Sequence, residues 1–489
     1  MAMMMARYII SIAAVLLTCT SAFGQTRLRL MPDTEASAEL ARGNLIAAYQ
    51  LLVPQADDCE GLYPGEPDCI ELRLAAGETA LAIGHLDAEQ HGREAYVIAP
   101  TVRDRFRALY LVLAGKNLRG DYLTCEGLIF RNARLFISFN PNLEPALVAR
   151  MRSAMAVCLD GSGRHAEAEQ FHGLALTALR TAGDPSAIDY AAALGAYARS
   201  LDKLGRYIEG EHHWREALAI AQAHNSPQAA DYYRGLGANF ASRNRCGEAE
   251  SLLRLVIPAY RRVNVTYGAR LNLAWSYSDL GACVDALGRP TEASELFILA
   301  STQGIFGDPF PTQFLGLNSL RGARNALSLR YPETALFRVD SALINLQSFR
   351  PSDHPSMGGA FHLRGQILEA MDDVGGAYFM YSKARQVWGR VFRPEHPDRL
   401  TGDTTLALFL ARRGGADGEA RLVFQDAQVG LLERIGTMPA FDVEAQRELK
   451  QFSPLFRGKV LVSWRLSQPT VRPAARRKDR ARPRPRSRP

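Results

Sequence analysis

Small and bulky side chains recur at helical spacing along most of the chain. A small residue is followed four positions later by a bulky one and seven positions later by a second small one, which places all three on one face of two helical turns. This pattern predicts helices that approach a neighbour closely through their small residues. Seven well-formed copies occur, at Ala168/His172/Ala175, Gly210/Trp214/Ala217, Ala249/Leu253/Val256, Ala293/Phe297/Ala300, Ala335/Val339/Ala342, Ala377/Tyr381/Ala384 and Ala420/Phe424/Ala427. Weaker copies precede them at Ala48/Leu52, Ala88/Gly92/Ala95 and Cys125/Ile129/Asn132.

The copies are regularly spaced, with a mean period of about 41 residues between Ala48 and Ala420. Glycine ends helices in a left-handed cap, so each unit is predicted to be a helix, a glycine turn and a second helix. Such a hairpin cannot bury its apolar face alone, and stacking of several copies predicts an extended solenoid. The glycines stand five residues before the small residue, at Gly43, Gly120, Gly163, Gly205, Gly288 and Gly415.

These motifs resemble the tetratricopeptide repeat. Two pairs resemble the Leu-Gly signature of that family's first helix: Leu236-Gly237, followed by Phe240, and Leu280-Gly281. The family's turn and second helix resemble Gly205-Arg206-Tyr207 together with Glu209, Trp214 and Ala217-Leu218. The longer period resembles the 42-residue, kinesin-light-chain-like class of repeat. The inter-repeat signature of that class resembles Pro394-Glu395-His396-Pro397-Asp398 and Asp353-His354-Pro355, with Asp184-Pro185 and Ser226-Pro227 at equivalent junctions.

The resemblance implies an all-α fold, a right-handed superhelical solenoid of about ten helix-turn-helix repeats. It also implies a concave groove, lined by the first helix of each unit, that binds a protein or peptide. The resemblance is strongest over 145–430. It is weaker over 25–144, where we expect degenerate repeats, and over 431–467, where we expect C-terminal capping helices. The fold does not identify the ligand.

The first residues predict a secretion signal. Arg7 precedes a short apolar run from Tyr8 to Leu17, and Ala22 and Gly24 supply the small side chains that a signal peptidase accepts. We therefore expect residues 1–24 to be removed and the mature protein to be periplasmic or secreted. The alternatives are a membrane anchor, for which the run falls short of the ~20 residues that span a bilayer, and a lipoprotein modified at Cys19.

The C-terminal segment is strongly basic. Residues 472–489 hold nine Lys/Arg and one Asp, against a net charge of +7 for the whole chain, so the rest of the chain carries almost no net charge. Alternating Arg and Pro predicts a disordered tail over 468–489, because it has nothing to bury. Two interpretations stay open: contact with an anionic surface through the side chains from Arg472 to Arg488, or a tail without a dedicated partner. Specific nucleic-acid recognition is not indicated, because no such motif accompanies the charge.

Six cysteines follow the predicted signal, and an even number in an exported chain indicates disulfides. Cys59 and Cys69 bracket a short loop rich in Pro and Gly, and we expect them to be bonded. Metal binding is the alternative, but the spacings contain no C-x-x-C pair. Two further disulfides are plausible between cysteines that follow each other in the sequence: Cys125 with Cys158, and Cys246 with Cys283.

The motifs of common catalytic sites are missing from the sequence, including the Walker loop, H-E-x-x-H and G-x-S-x-G. His212 and His213 are adjacent on a predicted helix, where they point about 100° apart and should not share a metal ion. His354 and His396 each precede Pro and recur with the repeat, which favours a junction role over catalysis. We therefore predict no catalytic residue, no metal, no cofactor and no enzymatic activity.

The repeat alignment also predicts which residues face the groove. Arginines there could clamp the carboxylates of an extended peptide, and a tryptophan could serve as an aromatic anchor. The alternative is that these are ordinary solvated side chains. The expected function is a scaffold for a protein or peptide partner in the cell envelope. The alternative function is binding of an anionic polymer or membrane surface through the tail. The predicted groove residues are Arg150, Arg199, Asp202, Arg234, Arg245, Trp275 and Asp285.

Overall fold

The computed structural model describes residues 35–468 apart from 63–65, 133, 136–143, 182–186, 263–266, 306–311, 348–351, 414 and 439–442. The predicted signal (1–24) and, apart from Gln468, the predicted tail (468–489) lie outside the described residues. Over the described part the chain forms α1 Glu35–Ala41, α2 Leu45–Leu62, α3 Pro67–Ala82, α4 Ala88–Ile98, α5 Val102–Arg119, α6 Tyr122–Arg131, α7 Pro145–Gly161, α8 His165–Thr181, α9 Ala187–Lys203, α10 Tyr207–Ala223, α11 Ala229–Ser242, α12 Cys246–Arg262, α13 Tyr267–Ala286, α14 Pro290–Ile305, α15 Thr312–Ser328, α16 Pro332–Gln347, α17 Pro355–Ala370, α18 Val374–Val391, α19 Pro397–Arg413, α20 Asp417–Gly436, α21 Val443–Gln451 and α22 Ser453–Ser467.

Helices α1 to α20 pair as ten consecutive hairpins, which confirms the predicted fold class. The small and bulky positions of all seven well-formed copies are buried. Glycine turns end many of the first helices, and Gly163 and Gly205 adopt positive φ values of 86° and 74°. Only glycine takes this left-handed conformation without strain.

Apolar cores extend across neighbouring hairpins. The largest apolar cluster runs from Ala149 on α7 to Phe314 on α15, so over this stretch each hairpin covers the apolar face of the preceding one. Trp214 shows the packing in detail: its ring lies against Gly235 of the next hairpin, and its Nε1 donates to Asp202 at 2.8 Å. A side chain at position 235 would overlap the ring.

The hairpins stack into a right-handed superhelical solenoid whose successive turns touch. His354 Nε2 donates to the Gly161 carbonyl at 3.1 Å, and His396 Nε2 donates to the Lys203 carbonyl at 3.0 Å; each contact spans 193 residues. Between four and five hairpins therefore complete one superhelical turn. The two histidines sit at the starts of α17 and α19, where the sequence predicted a junction role.

Further contacts hold the turns together on both sides of these histidines. The Gly268 amide donates to the Gly84 carbonyl at 2.9 Å. Arg243 pairs with Glu444 at 2.8 Å, and Asn244 donates to the Gln451 side chain at 3.0 Å. Consecutive superhelical turns thus contact each other and together enclose the concave side of the solenoid.

Two disulfides lie in the N-terminal hairpins. Cys59 is bonded to Cys69, and Cys125 is bonded to Cys158, with Cα–Cα distances of 5.3 and 5.8 Å. Cys246 and Cys283, which the spacing also offered as a pair, are both buried and unbonded. The Cys283 thiol donates a hydrogen bond to the Cys246 sulfur, and this bond together with burial raises the pKa of Cys283, so it stays protonated.

Helices α21 and α22 follow the last hairpin. Helix α22 packs against α19 and α20 through Leu455, Gly458 and Val462, all of which are buried. Within the described residues, none of the helices is at once long and apolar enough to cross a membrane.

Candidate functional site

The first helices of the hairpins line the concave side of the solenoid. Consecutive first helices contact one another from α3 through α17, as expected for the inner wall of a superhelix. The wall is lined partly by small side chains, such as Ala146 and Ala192, which keep it open. Any ligand of the concave side must therefore contact first-helix residues.

A cavity of about 390 Å³ opens on this wall. It is lined by α3, α5, α7 and α9, with Gln228 from the segment before α11 and Leu179 from α8. Tyr110 projects from α5 into it, and burial raises the pKa of its phenol to about 12, so the group is neutral at physiological pH. The cavity combines an apolar wall with few polar groups, as small ligand sites usually do.

Arg150 and Asp189 form an ion pair in the cavity, whose lining also includes Glu78. The Arg150 Nη2 atom lies 3.2 Å from Asp189 Oδ2, and both residues are partly buried. Nearby Asp189 raises the pKa of Arg150 against the effect of its burial. The predicted groove residue Arg150 thus lines the concave side, but its charge is already paired.

Arg199 lies on α9, one repeat beyond Val157, a residue that lines the cavity. Its side chain is exposed and passes over the Trp214 ring, with the guanidinium carbon 5.9 Å from the ring centroid. In the described part of the chain, no carboxylate lies within ion-pair distance of Arg199. The surrounding turns reduce the hydration of its guanidinium and, together with the positive charge of Arg234, lower its pKa. Arg199 is therefore a cation on the concave wall that an acidic ligand could neutralise.

Asp202 and Asp285 connect neighbouring hairpins. Asn239 Nδ2 donates to Asp202 at 2.6 Å and to the Tyr207 carbonyl at 2.8 Å. Two repeats later, Asn325 Nδ2 donates to Asp285 at 3.0 Å and to the Pro290 carbonyl at 2.8 Å. Burial raises the pKa of Asp202 to about 7.

Arg234 and Trp275 belong to one network that crosses three first helices. Arg234 lies 3.7 Å from Asp279, and Arg321 pairs with the same carboxylate at 2.7 Å. The Arg321 guanidinium also lies over the Trp275 ring at 5.6 Å, and Trp275 meets Phe314 edge-on at 4.8 Å. Trp275 is thus held by its neighbours and only partly exposed.

Arg245 lies in the turn between α11 and α12 and not on a first helix, so its place differs from the prediction. It pairs with Glu248 at 2.6 Å and with Glu211 at 3.4 Å, and its guanidinium covers the Phe240 ring at 4.1 Å. Regular repeat spacing predicted that Arg245 would lie on the inward side of a first helix. The repeat is shorter here, and α11 ends at Ser242, so Arg245 falls in the turn.

The adjacent histidines on α10 also differ from the prediction. One potential ligand atom from each of His212, His213 and Glu216 lies within 4.8 Å of the others. The two imidazole rings turn toward each other, with centroids 5.4 Å apart, because side-chain torsions offset the divergence of their Cα–Cβ bonds. The group sits on a second helix, away from the concave wall.

Sequence reasoning missed several residues of the concave side. Asp189 and Asp231 occupy equivalent positions 42 residues apart, and Asp231 accepts hydrogen bonds from Tyr260 and Asn272. Arg324 on α15 is exposed, has no carboxylate within ion-pair distance among the described residues, and has a pKa lowered by reduced hydration on the inner wall. Asn239 and Asn325 recur two repeats apart in the sequence, but that spacing does not indicate which carboxylates they contact.

Residues 189–262, from α9 to the end of α12, match the tetratricopeptide repeat family. No curated protein is similar enough in sequence to be matched with this chain. A Rap protein crystallised with Competence and Sporulation Factor is 10% identical and covers 81% of this chain and 98% of its own, with a TM-score of 0.54.

Two shorter structures also match. Nearly identical TPR-like repeats from a kinesin light chain of Podosopora anserina are 18% identical and cover 42% of this chain and 96% of theirs, with a TM-score of 0.32. BtubC from P. vanneervenii is 19% identical and covers 49% of this chain and 94% of its own, with a TM-score of 0.33. The chain is therefore an all-α solenoid of tetratricopeptide-like hairpins, and its segment 189–262 matches that repeat family.

Proposed function

We propose that this protein is a non-enzymatic scaffold of the cell envelope that binds an extended acidic segment of a partner protein along its concave wall. The envelope location rests on the predicted signal at residues 1–24. The binding mode rests on the walled concave side, which offers a cavity of about 390 Å³ and first-helix side chains to a chain running along the superhelix axis.

Arg199 is the observation that carries the proposal. Most charged side chains on the concave wall are satisfied within the protein, as Arg150 is by Asp189 and Arg234 and Arg321 are by Asp279. Arg199 is exposed, lies beside the indole of Trp214 and, among the described residues, has no carboxylate within ion-pair distance. A guanidinium in this position can hold a carboxylate through two parallel hydrogen bonds.

The shared fold supports a peptide as the ligand. The Rap protein, which has the same kind of helical solenoid over most of both chains, was crystallised with Competence and Sporulation Factor. Arg324 offers a second unpaired cation farther along the inner wall. An extended segment with separated acidic residues could contact both arginines.

The experiment starts with the mature chain (25–489) used as bait in cell-envelope extract, with mass spectrometry of the retained proteins. Acidic peptides from a captured protein are then titrated by calorimetry against wild-type protein and the Arg199→Glu variant. Loss of one charge-assisted contact and gain of a repulsive charge should weaken binding at least ~10-fold, which corresponds to about 1.4 kcal/mol.

Arg421→Glu is the matched control, because Arg421 is exposed on α20, a second helix. It should bind the peptide like the wild type, and so should a chain ending at residue 468. Equal weakening by Arg199→Glu and Arg421→Glu would contradict a site on the concave wall. So would binding that disappears with the tail.

A further inference from the structure

Helix α22 has two opposite faces with different surroundings. Leu455, Gly458 and Val462 are buried, and Gly458 lies so close to Phe424 that a Cβ there would be 2.4 Å from its ring. The other face carries Val460, Leu461 and Trp464, whose side chains are 70%, 43% and 60% exposed. A helical wheel places these three within about 100° of arc, together with Arg457. The exposed residues therefore form one apolar strip and are not scattered.

The sequence that carries this strip and follows it is strongly basic. Helix α22 contains Arg457, Lys459 and Arg465 and no acidic residue, and the Arg/Pro tail begins a few residues after its end. From position 452 to position 489 the sequence holds twelve Lys/Arg and a single acidic residue, Asp479. Such a concentration of charge attracts anionic surfaces within a Debye length.

The combination selects one kind of partner. A nucleic acid would attract the arginines but would gain little from Val460 and Leu461. A hydrophobic groove on a protein would accept the apolar strip but would have no use for the dense positive charge. An anionic bilayer presents phosphate headgroups directly above hydrocarbon, and tryptophan is enriched at that boundary.

We infer that α22 is a membrane-surface anchor, which docks on an anionic phospholipid bilayer by inserting Val460, Leu461 and Trp464 while the basic tail contacts the headgroups. The binding strength of such a helix grows with the apolar area that it buries and with the attraction of its basic residues to anionic lipids. The helix lies on the surface and does not span the membrane. The residues that carry this docking are separate from those of the concave wall to which the proposed function refers.

The test is co-sedimentation of the mature chain with phosphatidylcholine–phosphatidylglycerol vesicles and with vesicles of phosphatidylcholine alone. Wild-type protein should bind the anionic vesicles only. The variant Val460→Ser/Leu461→Ser/Trp464→Ser keeps the tail and changes only exposed side chains, so it should fold normally, as circular dichroism would show. Its affinity should fall at least ~10-fold, because insertion strength scales with the buried apolar area.

The matched control is Phe337→Ser/Ile344→Ser/Phe379→Ser, which removes three exposed apolar residues from α16 and α18, each more than half exposed. It should bind like the wild type. Brominated acyl chains should also quench the tryptophan emission of bound wild-type protein and quench that of Trp464→Phe much less, since Trp214 and Trp388 are buried and Trp275 is only partly exposed and packed against Phe314 on first helices.

Three results would overturn the inference. The first is a wild-type protein that does not bind anionic vesicles, including the case in which it binds RNA instead. The second is full binding by the α22 variant, which would make the tail sufficient. The third is equal loss by the α16/α18 control, which would show general adsorption.

Discussion

His362 is a titratable side chain in an apolar setting. It is 4% exposed, lies between Tyr381 and Trp388 at ring-centroid distances of 5.7 and 5.5 Å, and its Nε2 atom has no hydrogen-bond partner among the described residues. Burial, with a smaller effect of the Arg324 charge, lowers its pKa to about 4. Protonating it in the folded state is therefore unfavourable.

This environment predicts a loss of stability in acid. The unfolded chain takes up the proton below pH 6.5, whereas the folded chain does so only near pH 4, so the free energy of unfolding falls as the pH is lowered between those values. The loss through this residue is about 3 kcal/mol. His362→Phe keeps an aromatic ring without the proton site and should flatten the pH dependence of the urea midpoint. Parallel curves for variant and wild type would contradict the assignment.

At the residue scale, the sequence predicted burial more successfully than it predicted which polar side chains contact each other. Arg150, Arg199, Arg234 and Trp275 do lie on first helices, because helical periodicity fixes which face a residue occupies. The link from Asp202 to Asn239 was not predicted, because periodicity within a helix carries no information about the polar contacts of the next hairpin.

At the scale of the helix, the packing of α10 against α11 depends on the absence of a side chain. A Cβ on Gly235 would lie 2.5 Å from Cζ3 and Cη2 of Trp214, and the indole is fixed by its hydrogen bond to Asp202. Overfilling a packed interior forces neighbouring groups to move.

Gly235→Ala should therefore lower the free energy of unfolding by about 1–3 kcal/mol. The control is Gly247→Ala on the adjacent α12, where nothing lies within 4 Å of the position that the added methyl group would take. Alanine is a better helix former, so this control should raise stability by up to about 1 kcal/mol. Urea unfolding monitored by circular dichroism distinguishes the two. Effects of the same sign would contradict the packing argument.

The elements themselves were largely predictable. The small–bulky–small pattern located the second helices, and the glycines marked the turns, because both follow from contacts within a hairpin or between neighbours. The unequal length of the repeats was harder to anticipate: α11 ends at Ser242 whereas α13 runs from Tyr267 to Ala286. That difference moved Arg245 out of the groove.

At the scale of the whole molecule, contacts between superhelical turns were beyond sequence reasoning. A repeat motif describes how a hairpin meets the next one, whereas His354 meets Gly161 four to five hairpins away. Small rotations add up over these hairpins and decide whether successive turns touch. Contact between turns also constrains Gly205, in addition to its positive φ. A Cβ there would lie 2.4 Å from Cδ of Pro397.

Turn-to-turn contact can be tested by crosslinking. Asn244 and Gln451 are exposed, lie 207 residues apart in sequence and share a 3.0 Å hydrogen bond between turns. Replacing both by cysteine should allow a short bis-maleimide to join them within one molecule, seen as a changed gel mobility and a linked peptide in mass spectrometry.

The native free thiols, Cys246 and Cys283, are buried and should react slowly. Cysteine at Gln446, exposed on another side of α21, is the partner in the control pair with Asn244→Cys and should crosslink much less. Equal yields from the two pairs, or none from the first, would mean that the superhelix is open in solution and that its concave wall is a groove accessible from the side.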